Sequence, residues 1–498
     1  MKTARWNSIL AALQKIFWVL FLITLPWTSF PYFPPAIGGG TLVRPLSIYP
    51  LIALLILVTL PRLFTRPLPK SLLPLFVFAM LAVASSLLSL LKGIDPALGI
   101  PVTERVFRAL VTLGIGGAVY LTVALMPRTL EDLRSTLRWI YAGFAIALLW
   151  GTVQAFYIIH FDPVYFHIVN KIQGYITIRH LFTNRASGLT YEPNWFAEQI
   201  SLLLIPWLLA SVFSGYSVFR WRWHRVTPEW FLLGWAIVVL PFTFSRAGLA
   251  NLVVLAFLGI LFFRFQSSQK PSEKPRTGQL TRRLIEAGLI LAVLGGLFYF
   301  AGTKNEFFSR IWGYWLKNKN LSISGYLDYL GFGARFTYGE TAFRTYEAFP
   351  VMGVGLGNYA FYFDEMLPNQ PLAYTPEVIR LVTPEAGRDR LITPKNLYLR
   401  LLAETGLVGT AAFVAFLIAM LGCALYLWKT PKLEGTYWGT SGLLALIAFA
   451  VAAFSFDSFA IPNMWVIFGL ITAATGVLSA PQTPPHEQNV MREETNIS

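Results

Sequence analysis

The chain is poor in charge and almost free of cysteine. Asp, Glu, Lys and Arg make up 13% of its 498 residues, about half the share of roughly 25% in soluble domains. The single cysteine, Cys423, excludes an intramolecular disulfide and a cysteine-based metal site. The five histidines (160, 167, 180, 224 and 486) make no metal-ligand spacing. No P-loop, GxGxxG, HExxH or GxSxG segment occurs, which removes cytosolic nucleotide chemistry and the common hydrolase plans. No internal repeat of fixed period is visible.

What is present is apolar: 55% of the residues are hydrophobic, yet 40 Lys and Arg against 25 Asp and Glu leave a formal charge of +15. This combination excludes a disordered chain, a small disulfide scaffold and a coiled coil. It also excludes a basic soluble nucleic-acid binder, whose cations would run along a polar surface. Apolar stretches near the ~20 residues that cross hydrocarbon fall at about 14–33, 46–61, 72–91, 109–127, 138–159, 195–213, 230–244, 248–265, 284–302, 406–428, 438–456 and 461–479. An open sheet cannot satisfy its backbone in lipid, so the fold class is an all-α polytopic membrane protein of about twelve helices. Lys15 interrupts the first stretch and no small-x-small cleavage site precedes Pro31, so that stretch reads as a retained helix.

Sidedness follows from the short loops. One set of segments carries 21 of the 40 Lys and Arg, and the opposite short loops carry 8. The positive-inside bias then puts both termini in the cytoplasm. The organisation expected is nine helices over 1–302 with an outer loop at 160–194, a large extracytoplasmic loop at 303–396, three helices over 397–480, and a disordered tail at 481–498. The segment 307–331 mixes Trp312, Trp315, Tyr314 and Phe307 with Arg310, Lys317 and Lys319. Helical spacing predicts an aromatic face, either lying in the membrane interface or capping the bundle.

Cations on the outer side are the candidate chemistry. Arg246, in PFTFSRAGLANL, sits in a tight turn between two apolar stretches. A guanidinium so near hydrocarbon is expensive and points to an anionic partner; the plainer alternative is snorkelling to the interface. Arg185 lies in NRASGLTYEPNWFAE and either binds an anion or ties down its loop. Arg335 precedes a helix-like stretch that ends in a turn with Gly353, Gly355 and Gly357, and Arg344 is the competing cation. Several arginines converging on one face suit a diphosphate, which the planar fork grips bidentately. In TPKNLYLRLLAETGLVGTAAF, Lys395 and Asn396 lead into a helix whose Gly406 and Gly409 allow close packing, while Arg400 and Glu404 pair one turn apart.

Four blocks, RASGLTYEPNWFAE, FSRAGL, ARFTYGETAF…FPVMGVGLGNY and KNLYLRLLAETGLVGT, resemble the bacterial O-antigen ligase and O-antigen polymerase superfamily over roughly 185–413. The resemblance implies a lipopolysaccharide- or polysaccharide-building glycosyltransferase of the inner membrane that takes a glycan from an undecaprenyl-diphosphate carrier on the extracytoplasmic side. By the same resemblance, Arg246 and Arg335 bind the lipid diphosphate, and Arg185 and Asn396 help hold diphosphate or glycan. Partners implied are the lipid-linked glycan, an acceptor glycan or lipid, membrane lipid and, for a polymerase, a chain-length regulator; no nucleic acid is implied. Lys395 stands where the ligases carry a histidine, their proposed base. An ordinary lysine amine is protonated at neutral pH and serves as base only if burial and neighbouring cations lower its proton affinity. Lys395 is therefore a base, a cation on the leaving diphosphate, or a structural residue, with Glu192, Glu340 and His180 as other bases. This departure moves the reading from lipid A-core ligase towards polymerase-type transfer. No clustered carboxylates occur in the outer loops, so metal-independent chemistry without a cofactor is expected. The alternative from another class is a transporter of a small anion or bicarbonate-like solute, which would want charges at the midplane and matched halves.

Overall fold

A computed structural model describes residues 2–33, 42–65, 67–224, 226–268, 306–317, 321–369, 375–383 and 391–479, with 295, 296, 299 and 303 besides. The first helices in chain order are α1 (Lys2–Thr24), α2 (Ile48–Thr65), α3 (Leu72–Leu90), α4 (Val102–Leu125), α5 (Leu130–Ile159) and α6 (Pro163–Ile176). Then come α7 (Pro193–Ser214), α8 (Pro228–Thr243), α9 (Arg246–Ser268), α10 (Glu306–Lys317), α11 (Ile323–Tyr329) and α12 (Gly333–Ala348). The last are α13 (Tyr359–Tyr362), α14 (Pro376–Val382), α15 (Leu397–Lys429), α16 (Leu433–Ala452) and α17 (Asn463–Ser479). No strand occurs among the described residues, only isolated bridges.

Among the described residues, seven helices are long and apolar enough to cross a membrane: α2, α3, α4, α5, α7, α15 and α16. Four shorter apolar helices, Ser8–Thr24, Pro228–Thr243, Arg246–Gly259 and Asn463–Ser479, accompany them. A described helix overlies every stretch expected from hydropathy except 284–302, which lies largely outside the described residues, as does the tail 481–498. The pair at 230–265 is two helices joined by Phe244 and Ser245, with Phe244 in the left-handed region at φ 47°.

Prolines inside helices leave a visible mark. Pro61 has no N–H and its ring crowds the carbonyl of Leu57, four residues back. The helix answers by widening to a π turn over Leu55–Thr59, and Gln14 Nε2 donates to the Leu57 carbonyl at 3.0 Å. Pro206 stands in the same relation to a second π turn, Ile200–Leu204.

The element that positions the candidate site is a break in α15. Gly406 has φ 64° and ψ −168°, so the helix stops and restarts there. In an unbroken helix, Leu407 and Val408 would donate to Ala403 and Glu404. Instead they donate to Pro350 at 2.8 Å and Val351 at 3.3 Å. The carbonyls of Ala403 and Glu404 accept from Val354 at 3.0 Å and Gly355 at 2.9 Å. Four backbone bonds are thus exchanged between the break and the glycine-rich turn, which satisfies the main-chain groups that the broken helix gives up at Ala403, Glu404, Leu407 and Val408. Gly406 allows the close approach expected of it, against the turn at 351–353, and is in addition a breakpoint that the expectation of a continuous helix did not contain. In the stretch 307–331, Trp312 packs against the bundle core and Tyr314 and Trp315 both meet Tyr326, an arrangement that fits the capping alternative among the described side chains. Tyr314 turns to Tyr326 and Tyr329, Trp312 stacks on Tyr299, and Trp315 is 45% exposed.

A Cβ at Gly406 would run into the Val351 carbonyl, in a backbone conformation that already disfavours side chains. Gly406→Ala is expected to cost about 3 kcal/mol or more, read as a lowered thermal unfolding midpoint in detergent. Gly117→Ala, in α4 with nothing within 4 Å of the added methyl, is the control expected to leave the midpoint unchanged or slightly raised.

Candidate functional site

At one end of the bundle α5 stops, α7 begins, and α8 turns into α9. The loop between α6 and α7 is laid onto that turn by backbone: Ala186 N–H donates to Phe242 O at 2.8 Å. From below, buried Gln154 accepts from Ser187 and Gly188 through Oε1 (2.8 and 2.9 Å) and returns Nε2 to Gly188 O at 3.2 Å. Arg185 is fixed on this platform, with Nε donating to Thr243 O at 2.9 Å and one terminal nitrogen to Asn194 Oδ1 at 2.8 Å. Burial pulls Arg185 down to about 10, opposed by Glu192 and reinforced by the charges of Arg246 and Arg179. It remains protonated at neutral pH, so a positive charge is held half-buried beside others of its own sign.

Arg246 opens α9. Ser245 caps that helix, its hydroxyl accepting from Gly248 N–H at 3.3 Å. Capping fixes the start of the helix at Arg246 and leaves the guanidinium at its positive end. Arg246 donates to the Leu330 carbonyl at 2.6 Å and lies 5.8 Å from the Phe332 ring centre. It is thereby tied to the link between α11 and α12. Arg335 is the third residue of α12, and its charge and that of Arg310 both act on Arg246. Arg246 therefore stands between two sets of cations: its charge acts on Arg185, as does that of Arg179, while Arg335 and Arg310 act on Arg246 itself. Of these, Arg179 is neutralised by an ion pair with Glu192 and stacks on Phe182 and Tyr191 at 4.2 and 4.7 Å.

Lys395 stands in a second charged group, at the start of α15. It is exposed, with a left-handed backbone at φ 56°, and its N–H donates to Asp457 Oδ2 at 2.7 Å. Among the described residues its amine has no carboxylate partner. Asn396 is the N-cap of α15, its Oδ1 accepting from Leu399 N–H at 3.1 Å. Arg400 and Glu404 pair at 2.8 Å, both almost fully buried, and Arg400 also donates to the Asp457 carbonyl. The pairing read from the four-residue spacing is what the structure contains. Asp457 is what sequence reasoning missed: it lies about sixty residues downstream, in the α16–α17 link, and no spacing rule connects it to Lys395 or Arg400.

The other sequence candidates are occupied or peripheral. Glu340 and Arg344 pair with each other at 3.0 Å, Glu192 is held by Arg179, and exposed His180 lies 3.4 Å from Asn170. Arg179 and Arg310 carried a signal, a basic residue in an outer segment, yet only the fold shows that they reach the group.

The arrangement can grip an anion. Like charges held together at a helix N-terminus repel in the empty state, and a bound polyanion relieves that repulsion. A search of curated proteins finds no match for the chain. Residues 230–414 match the family model described as O-antigen ligase, which spans three of the four sequence blocks, with Arg246, Arg335 and Lys395 inside it. That match supports the O-antigen ligase and polymerase superfamily for this multi-pass membrane protein.

Proposed function

We propose that the protein transfers or polymerises a glycan from an undecaprenyl-diphosphate carrier onto an acceptor sugar, at the extracytoplasmic face of the bacterial inner membrane. The observation that carries this reading is the convergence of Arg185, Arg246 and Arg335 at one end of an apolar bundle. Three guanidinium groups there match the charge and the oxygen-rich shape of a diphosphate. The lipid tail lies among apolar helices while its diphosphate reaches the arginines. An acceptor hydroxyl attacks the anomeric carbon, the bond from that carbon to the diphosphate oxygen breaks, and undecaprenyl diphosphate leaves. Catalysis is then positioning plus stabilisation of the leaving group's charge. Lys395, whose amine has no carboxylate partner among the described residues, supplies a further cation to that charge. The excess of Lys and Arg in the loops at the opposite end supports cytoplasmic termini and an outward site.

Arg246→Ala and Arg335→Ala are each expected to lower glycan transfer by about 10²-fold or more while expression and membrane insertion persist. Normal polymer length and yield from either variant would remove the diphosphate assignment. The assay is transfer by purified protein from a lipid-linked oligosaccharide.

Lys395 separates two chemistries. As a cation it is replaceable by arginine: Lys395→Arg keeps most of the activity, and Lys395→Ala falls by about 10²-fold. A Lys395→Arg enzyme as inactive as Lys395→Ala would assign proton abstraction to the amine instead.

A further inference from the structure

The end of the bundle opposite Arg246 carries a second concentration of arginines that the glycan chemistry does not use. The first turns of α5 and the α7–α8 link enclose a groove of about 320 Å³ whose lining includes Glu131, Arg134, Arg138, Ser217, Arg220 and Arg222. The link is held in place from below. Buried Glu229 accepts from the Ser217 hydroxyl at 2.9 Å and from Val218 N–H at 2.9 Å. Arg134 donates to the Tyr216 hydroxyl at 2.6 Å, which fixes the groove's inner wall.

The charges around the groove divide into two kinds. Glu131 is taken by Arg138 and Arg134, and Glu434 by Arg134. Glu229 is engaged by the link. Arg220 and Arg222 are exposed and have no carboxylate partner among the described residues. Their spacing, two residues apart with Trp221 between and Trp223 after, alternates cations with large aromatics. Trp221 and Trp223 are 57% and 64% exposed, and α8 immediately adds exposed Trp230 and Phe231. Exposed tryptophans in a link between apolar helices mark the level of the lipid headgroups. A groove at that level, basic, open, and flanked by apolar helix surface, has the chemistry of an anionic headgroup site.

We propose that this groove binds the phosphate of an anionic phospholipid such as phosphatidylglycerol, gripped by the guanidinium groups of Arg220 and Arg222, with Trp221 and Trp223 against the glycerol and upper acyl chain. Arg134 and Arg138 line the same groove, and their pairing with Glu131 offsets the charge of that carboxylate. A soluble phosphate would meet the same arginines but gain nothing from the aromatic flank. The proposal is independent of the glycan-transfer reading, because none of these residues belongs to the Arg246 end.

The test is native mass spectrometry of the purified full-length protein titrated with phosphatidylglycerol or phosphatidylcholine in detergent. Wild-type protein is expected to retain phosphatidylglycerol preferentially. The double variant Arg220→Gln, Arg222→Gln is expected to bind it about thirtyfold more weakly, with an unchanged unfolding midpoint in lipid-free detergent. A second readout needs no change to the arginines: brominated phosphatidylglycerol quenches indole emission, and the quenched amplitude falls in Trp221→Phe, Trp223→Phe. Equal retention of the two lipids, or retention of phosphatidylglycerol unaltered in the arginine double variant, overturns the proposal. So does displacement of the lipid by equimolar inorganic phosphate, which would make the groove a soluble-anion site.

Discussion

Four backbone hydrogen bonds hold the candidate site in register. They run between the break at Gly406 and the turn over 350–355, where the two bonds that an unbroken α15 would make at this point give way to four across the contact. Because main-chain groups are exchanged, the contact admits no side chain at either surface. A Cβ at Gly353 would sit 2.5 Å from the Glu404 carbonyl carbon. The glycines of the sequence block FPVMGVGLGNY and those of LLAETGLVGT are therefore two halves of one joint, although some fifty residues separate them.

That joint sets where the charges stand. α12 leads from Arg335, in its first turn, straight into the locked turn at its other end. Its far end is anchored by Arg246, which holds the Leu330 carbonyl just before the helix begins. On the other side of the joint, α15 runs back from Gly406 through the buried Arg400–Glu404 pair to Lys395. Breaking a buried pair of this kind costs about 3–5 kcal/mol, so the segment that carries Lys395 resists rotation. Ser85 Oγ donates to Glu404 O at 3.0 Å, and Arg105 Nε donates to Gly357 O at 2.9 Å. These contacts fasten the same joint to α3 and α4. The turn over 350–357 is thus fixed to the bundle helices by backbone and buried side chains.

The sequence disclosed the helices through hydropathy, because lipid leaves a chain few other ways to satisfy its backbone. It disclosed Arg246 through cost, since an arginine between two apolar stretches needs a reason. The four-residue spacing disclosed Arg400 with Glu404. What stayed hidden was every relation across long sequence separations: Asp457 beneath Lys395, Leu330 on Arg246, and Phe242 on Ala186. Gly406 shows the same limit locally. Its neighbourhood reads as helix, and only the turn fifty residues earlier makes a break favourable, by accepting and donating the bonds the helix gives up. Lys395 and Asn396 illustrate a subtler one. Side by side in the sequence they look equivalent, yet Asn396 spends its carbonyl on capping α15 while Lys395 leaves its amine exposed.

The excess of positive charge, which at first suggests one polyanionic partner, resolves by asking which cations the fold has already neutralised. Arg179, Arg344 and Arg400 at one end, and Arg134 and Arg138 at the other, each sit on a carboxylate. A paired guanidinium orders the chain; it has little charge left to offer a ligand. Lys395, Arg220 and Arg222 have no such partner among the described residues, and Arg246 shares its surroundings with the charge of Arg185 on one side and that of Arg335 on the other. Mutual repulsion inside a low-dielectric bundle is a stored cost that a bound anion releases. Affinity for a diphosphate at one end and for a headgroup phosphate at the other then follows from the same arithmetic, applied to two separate sets of residues.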